Sequence, residues 1–293
     1  MSAFFGFLLQ FLPKKKLSRV MGRLMHLRCP QPMGLFLVWA FAKIYKINTA
    51  EAAKPISQYP SIGDFFIREL QPGARPLAEY PVVHPADSKI SQIGIISDGQ
   101  MIQAKGLKYS VQEICQDLEA FKKYEGGLFV TYYLCPTDYH RVHAPTDMNI
   151  HQVTYAPGEL WPVNQWSTHN VRNLFGINER VIIDFKAPQG LATLVLVGAT
   201  NVGQMSLSFD SQIVTNVPLA SGAEVTSSIR KSYAVNLQKG DHVGTFHMGS
   251  TVVMIYSKEF CQKAWPDITK NPFQTEWVQK FFEKPVQVGQ AFQ

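Results

Sequence analysis

From about residue 60 onward the apolar residues of this chain arrive in short runs, cut apart by Pro, Gly, Asn and Asp. The runs L-F-V-T-Y-Y-L (128–134), V-I-I-D-F-K (181–186), L-A-T-L-V-L-V (191–197) and V-V-M-I-Y (252–256) have the length of strands. They are also rich in β-branched and aromatic residues, which suit a pleated surface. Helical patterning in this region is confined to 110–124 and 273–283, so the strands are not separated by regular helices. A doubly wound parallel sheet is therefore excluded. The pattern predicts an α+β protein, a mainly antiparallel β core with a helical N-terminal segment. At 293 residues and 46% hydrophobic, the chain has ample material for such a core. No repeat and no low-complexity stretch interrupts it.

The N-terminal segment, residues 1–60, differs in kind from the remainder, 61–293. Lys14, Lys15, Lys16, Arg19, Arg23, Arg28, Lys43 and Lys46 lie in the first fifty residues, with no acid among them. The whole chain carries only +6, so everything after residue 50 is slightly acidic. Phe4, Phe5, Phe7, Leu8, Leu9, Phe11 and Leu12 precede the lysines. Leu17, Val20, Met21 and Leu24 then follow at i, i+3, i+4, i+7, with Arg19 and Arg23 off that face. A second apolar stretch, M-G-L-F-L-V-W-A-F-A, covers 33–42. Neither run reaches the roughly 20 residues that span a bilayer. The first run precedes its basic cluster, the reverse of a secretory signal, so export is not expected. A basic, aromatic-rich amphipathic terminus suits the interface of an anionic membrane, where each Lys or Arg adds about 1 kcal/mol. The competing reading is a helical hairpin packed on the protein's own core with its basic side solvated. Nucleic acid is disfavoured, because the aromatics cluster with aliphatics and do not interleave with the basic residues.

Cys29, Cys115, Cys135 and Cys261 lie far apart, with no C-x-x-C pair, which argues against disulfides and zinc knuckles and fits a reducing cytoplasm. Three clusters carry possible chemistry. H-P-A-D-S-K-I-S-Q-I-G (84–94) offers Asp87 after a proline turn. C-P-T-D-Y-H-R-V-H-A-P (135–145) offers His140 and His143, three residues apart, but no further ligands complete a metal set. The third is T-F-H-M-G-S-T-V-V-M-I-Y (245–256), where Gly249, Ser250 and Thr251 stand against a good strand that glycine would weaken. Asp, His and Ser are the parts of an activated nucleophile, the carboxylate orienting an imidazole that takes the serine proton. Ser250 lacks the G-x-S-x-G elbow of serine lipases and esterases, and it precedes a strand instead of opening a helix. The residues alone do not choose the reaction.

The G-S-T followed by apolar residues resembles the self-cleavage site of bacterial-type, pyruvoyl-dependent phosphatidylserine decarboxylases. The same family is resembled, in order, by F-I-R-E-L (66–70), H-P-A-D (84–87), Q-A-K-G-L-K-Y-S (103–110) and F-V-T-Y-Y-L-C-P-T-D-Y-H-R-V-H-A-P (129–145). Y-A-P-G-E-L-W-P-V-N (155–164), N-L-F-G-I-N-E-R-V (173–181) and V-G-A-T-N-V-G (197–203) continue the series, which covers roughly residues 60 to 290. Two positions depart from the family pattern. Met248 stands where the family usually has Leu, a swap that conserves volume, and Ser88 stands where it usually has Gly.

The resemblance implies a proenzyme cleaved between Gly249 and Ser250 into a β chain (1–249) and an α chain (250–293). Ser250 Oγ would attack the Gly249 carbonyl, with His143 as base and Asp87 orienting it. Residue 250 would become a pyruvoyl group, the covalent cofactor for converting phosphatidylserine to phosphatidylethanolamine and carbon dioxide. His140 and His143 are the implied proton donors for that second reaction. The implied setting is peripheral, on the cytoplasmic face of the bacterial inner membrane, as a homodimer of processed protomers. A catalytically silent membrane-lipid binding protein and a serine lipase or esterase are the competing functions.

Overall fold

A computed structural model of the chain describes residues 13–104, 107–200, 204–218, 223–247, 251–266 and 280–293. Three helices come first, α1 (Lys14–Met25), α2 (Met33–Ile44) and the short α3 (Ile62–Phe66). The strands follow as β1 (Ser88–Ile95), β2 (Gln100–Ala104), β3 (Leu107–Ser110), β4 (Leu128–Tyr133), β5 (Arg141–His143), β6 (Met148–Ala156), β7 (Arg180–Lys186), β8 (Leu191–Val197), β9 (Met205–Leu207), β10 (Ile229–Leu237), β11 (His242–Phe246), β12 (Thr251–Tyr256) and β13 (Pro285–Val286). Short helices α4 (Val111–Cys115), α5 (Ala120–Tyr124), α6 (Gln165–Asn170), α7 (Leu174–Ile177) and α8 (Lys258–Ala264) sit between them. The expected α+β class is what the chain adopts.

Eight strands form one sheet in the order β10-β6-β7-β8-β12-β4-β1-β13, and every neighbouring pair is antiparallel. The unbroken apolar runs of the central strands have a simple cause: both faces of this sheet are covered. Along β12, Val252, Met254 and Tyr256 enter one core and Val253 and Ile255 the other. The alternation repeats in β8, where Leu194 and Leu196 oppose Val195 and Val197. The first face is closed by the three-stranded sheet β5-β11-β9 and by α8, through Val142, Val243, Phe246 and Phe260. The second is closed by the β2–β3 hairpin with α4, α5 and α7, through Tyr109, Ile114, Leu174 and Phe175. Each fully buried Val, Ile or Phe is worth about 1.5–3 kcal/mol, and every residue of β12 is buried, so this strand is firmly held.

The helix expected across 110–124 is two separate turns. Gln116 takes φ 49 after α4, the Asp117 carboxylate accepts from the Glu119 N–H, and Gln112 Nε2 donates to the Leu118 carbonyl. Polar side chains have taken over backbone groups that a continuous helix would use. Most of the helix expected at 273–283 lies outside the described residues.

The N-terminal helices form a small core of their own, with Val38, Ala42, Ile47, Tyr59 and Phe65. Helix α1 turns its polar side inward. Lys14 and Ser18 are buried, Lys14 pairs with Glu159 at 3.2 Å, and Arg19 binds Glu224 at 2.6 Å and Asn216 at 3.1 Å. Its apolar stripe faces out instead, with Val20 50% and Leu24 58% exposed. Lys16, Arg23, Arg28, Lys43 and Lys46 remain exposed to solvent.

Candidate active site

Asp87 closes the H-P-A-D turn just before β1. That turn is laid against the segment after β5: the His143 N–H donates to the Pro85 carbonyl at 2.8 Å, and Val83 N–H to the Pro145 carbonyl at 2.8 Å. Two clusters more than fifty residues apart in sequence are thereby joined backbone to backbone. The C-terminal segment closes the other side, because the His84 N–H donates to the Gln290 carbonyl at 2.9 Å and the Gly289 N–H to the His84 carbonyl at 3.1 Å.

Asp87 is 6% exposed, and its carboxylate is fully engaged. Arg75 grips it with Nε at 2.9 and 3.0 Å and Nη2 at 2.6 Å, and the Val288 N–H donates to Oδ1 at 2.9 Å. A second hydrogen bond from Arg75 Nη2 reaches Glu51 at 3.0 Å. The fork geometry is the strongest available between these groups, and it keeps a buried carboxylate compensated. Arg75 was not anticipated from the sequence. A lone Arg in P-G-A-R-P carries no pattern that distinguishes it from a surface turn residue, and only the folded chain shows what it grips.

His143, at the end of β5, has both ring nitrogens occupied. Nδ1 lies 2.8 Å from the Gly240 carbonyl and Nε2 lies 3.1 Å from the Tyr139 hydroxyl, whose ring stacks on the imidazole at 5.6 Å. A carbonyl can only accept, so the neutral ring carries its proton on Nδ1 and offers a lone pair at Nε2. Gly240 reaches this position with φ +91, a conformation side-chain-bearing residues rarely adopt. Burial lowers the His143 pKa, with Arg141 adding to the effect, while the Gly240 carbonyl and the charge of Asp87 oppose it. Asp87 and His143 share no hydrogen bond among the described residues. The carboxylate expected to orient the imidazole is held by Arg75, and the Gly240 carbonyl does the orienting. Arg75, Tyr139, His143, Gly240 and Val288 line one pocket of about 370 Å³.

His140 is placed quite differently. It is fully buried, its Nδ1 lies 2.8 Å from the Asp138 carbonyl, and its ring lies on Phe66 at 4.0 Å. Its Nε2 has no hydrogen-bond partner among the described residues. Burial pushes its pKa down to about 3. Its own carbonyl accepts from the Phe246 N–H at 3.0 Å, which ties it to the end of β11. Burial also raises the nearby Asp138 carboxyl to about 6.

Gly249 and Ser250 lie outside the described residues, as does Met248. Their described neighbours are His247 and Thr251. Thr251 is fully buried, set opposite Tyr133 on one side and Val197 on the other, and its Oγ1 has no partner among the described residues.

A profile of the family described as phosphatidylserine decarboxylase matches residues 62–291. The phosphatidylserine decarboxylase proenzyme of Myxococcus xanthus (strain DK1622) is 38% identical over 262 residues, covering 89% of this chain and 91% of that protein. The proenzyme of the same name from Methylobacillus flagellatus is 39% identical over 272 residues, 92% of each chain. That from Shewanella putrefaciens is 40% identical over 255 residues, 85% of this chain and 86% of its own. An antiparallel core carrying a buried carboxylate beside a pocket-lining imidazole thus sits in an enzyme of the carboxy-lyase class. The chain belongs to the phosphatidylserine decarboxylase family.

Proposed function

We propose that this protein is made as a proenzyme, cleaves itself between Gly249 and Ser250, and then decarboxylates phosphatidylserine to phosphatidylethanolamine and carbon dioxide. The observation that carries the first step is the tautomer of His143. With Nδ1–H held by Gly240 and the pKa lowered by burial, the ring is a neutral base at Nε2 near pH 7. Nε2 takes the Ser250 hydroxyl proton as Oγ bonds to the Gly249 carbonyl carbon. The C–N bond then breaks, and the proton passes to the departing amine. Asp87 contributes through its charge, which favours the imidazolium formed in between. Loss of the Cα proton and cleavage of the Cβ–O bond release a chain ending at Gly249. The dehydroalanine left at position 250 takes up water and loses ammonia, which leaves the pyruvoyl group.

Two buried polar atoms without a partner among the described residues, His140 Nε2 and Thr251 Oγ1, support this reading, Thr251 being the residue next to position 250. The pyruvoyl group supplies a ketone that takes up the substrate amine and accepts the electron pair left when carbon dioxide departs. Of this chain's own residues, β12 begins at the residue after position 250, and of the pair His140 and His143 the pocket-lining His143 is assigned the return of a proton to the substrate's α-carbon, because burial holds His140 neutral. The outward apolar stripe of α1, with exposed Phe36 and Trp39 on α2, supports a peripheral seat on an anionic membrane at the cytoplasmic face of the bacterial inner membrane. No helix among the described residues is long and apolar enough to cross a bilayer. On the family resemblance, the processed protomers pair as a homodimer.

The deciding experiment is the intact mass of the purified protein. Two fragments, 1–249 and a blocked 250–293, are expected, and Ser250→Ala is expected to leave one uncleaved, inactive chain. An active enzyme that stays as a single chain overturns the proposal. Labelling of Ser250 by a fluorophosphonate would instead indicate a serine esterase, and vesicle binding without carbon dioxide release a silent lipid-binding protein.

A further inference from the structure

A second pocket, of about 340 Å³, lies between α1 and the end of β11, away from the His143 pocket. Its wall includes Arg19, Arg23, His26, Gln204, Asn216 and His247. The cationic groups do not play the same part in it. Arg19 is already spent on Glu224 and Asn216. Arg23, one helical turn on, is exposed and engages no acid or carbonyl among the described residues. The His26 and His247 rings face each other at 6.2 Å. His26 packs on Gly63 of α3, the helix whose Phe66 lies against His140, so this pocket and the His140 ring share one support. Burial, and next the nearby His26 and Arg141, push His247 down to about 4.

We propose that this pocket takes the phosphodiester of the lipid headgroup, with Arg23 supplying the paired cation. The assignment rests on the proposed reaction of phosphatidylserine at residue 250. His247 precedes that residue by three positions, a reach of at most about 11 Å, and an extended serine headgroup places its phosphorus roughly 5 Å from its amine. An amine delivered to residue 250 thus brings the phosphodiester within range of the pocket. A guanidinium matches a phosphodiester through two parallel N–H donors. A lipid is favoured over free phosphate because Val20 and Leu24 on α1 and Val217 in the pocket wall are exposed beside Arg23, apolar surface that a bare anion does not use.

The test uses the full-length Ser250→Ala chain, which does not turn over, with and without Arg23→Gln. Calorimetry with glycerophosphoserine is expected to show binding that Arg23→Gln weakens about tenfold, the scale of one charge-assisted hydrogen bond. Lys263→Gln, the same loss of charge on the exposed side of α8, is expected to leave it unchanged. Absence of binding, or equal binding by the Arg23 variant, overturns the pocket assignment. Inorganic phosphate binding as tightly as the diester overturns the headgroup assignment in favour of free phosphate. In processed enzyme on phosphatidylserine in neutral detergent micelles, Arg23→Gln is expected to raise KM and spare kcat; a fall in kcat alone also counts against it. Wild-type protein that releases no carbon dioxide sinks the decarboxylase reading alone, and calorimetry still decides the pocket.

Discussion

His140 and His143 stand three residues apart on one segment, and the fold gives them opposite surroundings. His143 borders a pocket, has a partner on each ring nitrogen, and feels both Asp87 and Arg141. His140 is sealed against Phe66, with one partner on Nδ1 and none on Nε2 among the described residues. The difference follows from their places on the chain. His140 lies in the loop under α3, whereas His143 sits in β5, where pairing with β11 turns it toward the Gly240 turn. The same residue type thus presents a lone pair at the edge of a pocket in one place and a neutral, buried ring in the other. Spacing in a sequence does not distinguish them.

The contrast can be broken most sharply at His143. His143→Ala is expected to slow self-cleavage by about 10²- to 10⁴-fold, the usual contribution of a positioned base, while changing stability little. Gel analysis of the maturation time course checks this, and processing at the wild-type rate would remove His143 from the base role. His140→Ala is expected to act the other way round. Loss of a fully buried ring stacked on Phe66 costs about 2–4 kcal/mol of stability, read from the urea midpoint, while cleavage continues. If the two variants lost equal stability, the difference in burial would carry no energetic weight.

Acid sharpens the comparison further. His84 and His140 are held near 3 and His242 and His247 near 4, each by burial first, so the folded state binds fewer protons than the unfolded chain below the ordinary histidine value of 6.5. Their contribution is complete above 6.5 and is lost as pH falls toward 3, by at most about 2 kcal/mol each at pH 5. Asp138, raised to about 6, and Glu179, also raised, work in the opposite sense and offset part of this. Tm is expected to drop between pH 7 and pH 5, and His140→Ala to flatten that drop; a Tm that rises on acidification would reverse the assignment. The smallest effect belongs to Tyr139→Phe, which removes the hydroxyl on His143 Nε2. It is expected to cost about 1 kcal/mol in stability and to leave cleavage within a few-fold, as measured by melting and by the maturation time course.

Much of this was present in the order of residues. Short β-branched runs without intervening helices were enough for the antiparallel core, because strand periodicity and turn residues act locally. The charge and apolar pattern of residues 1–50 separated the helical segment for the same reason. The motifs around Asp87, His140, His143 and Ser250 marked the family, since their residue types and order are read directly from the chain. What only the tertiary structure decided was partnership. Arg75 on Asp87, Gly240 on His143, the inward polar face of α1 and the buried Nε2 of His140 all depend on segments distant in sequence meeting in space. Hydrogen bonding and burial at such meetings fix which nitrogen carries a proton and which carboxylate is compensated, and no local pattern encodes either.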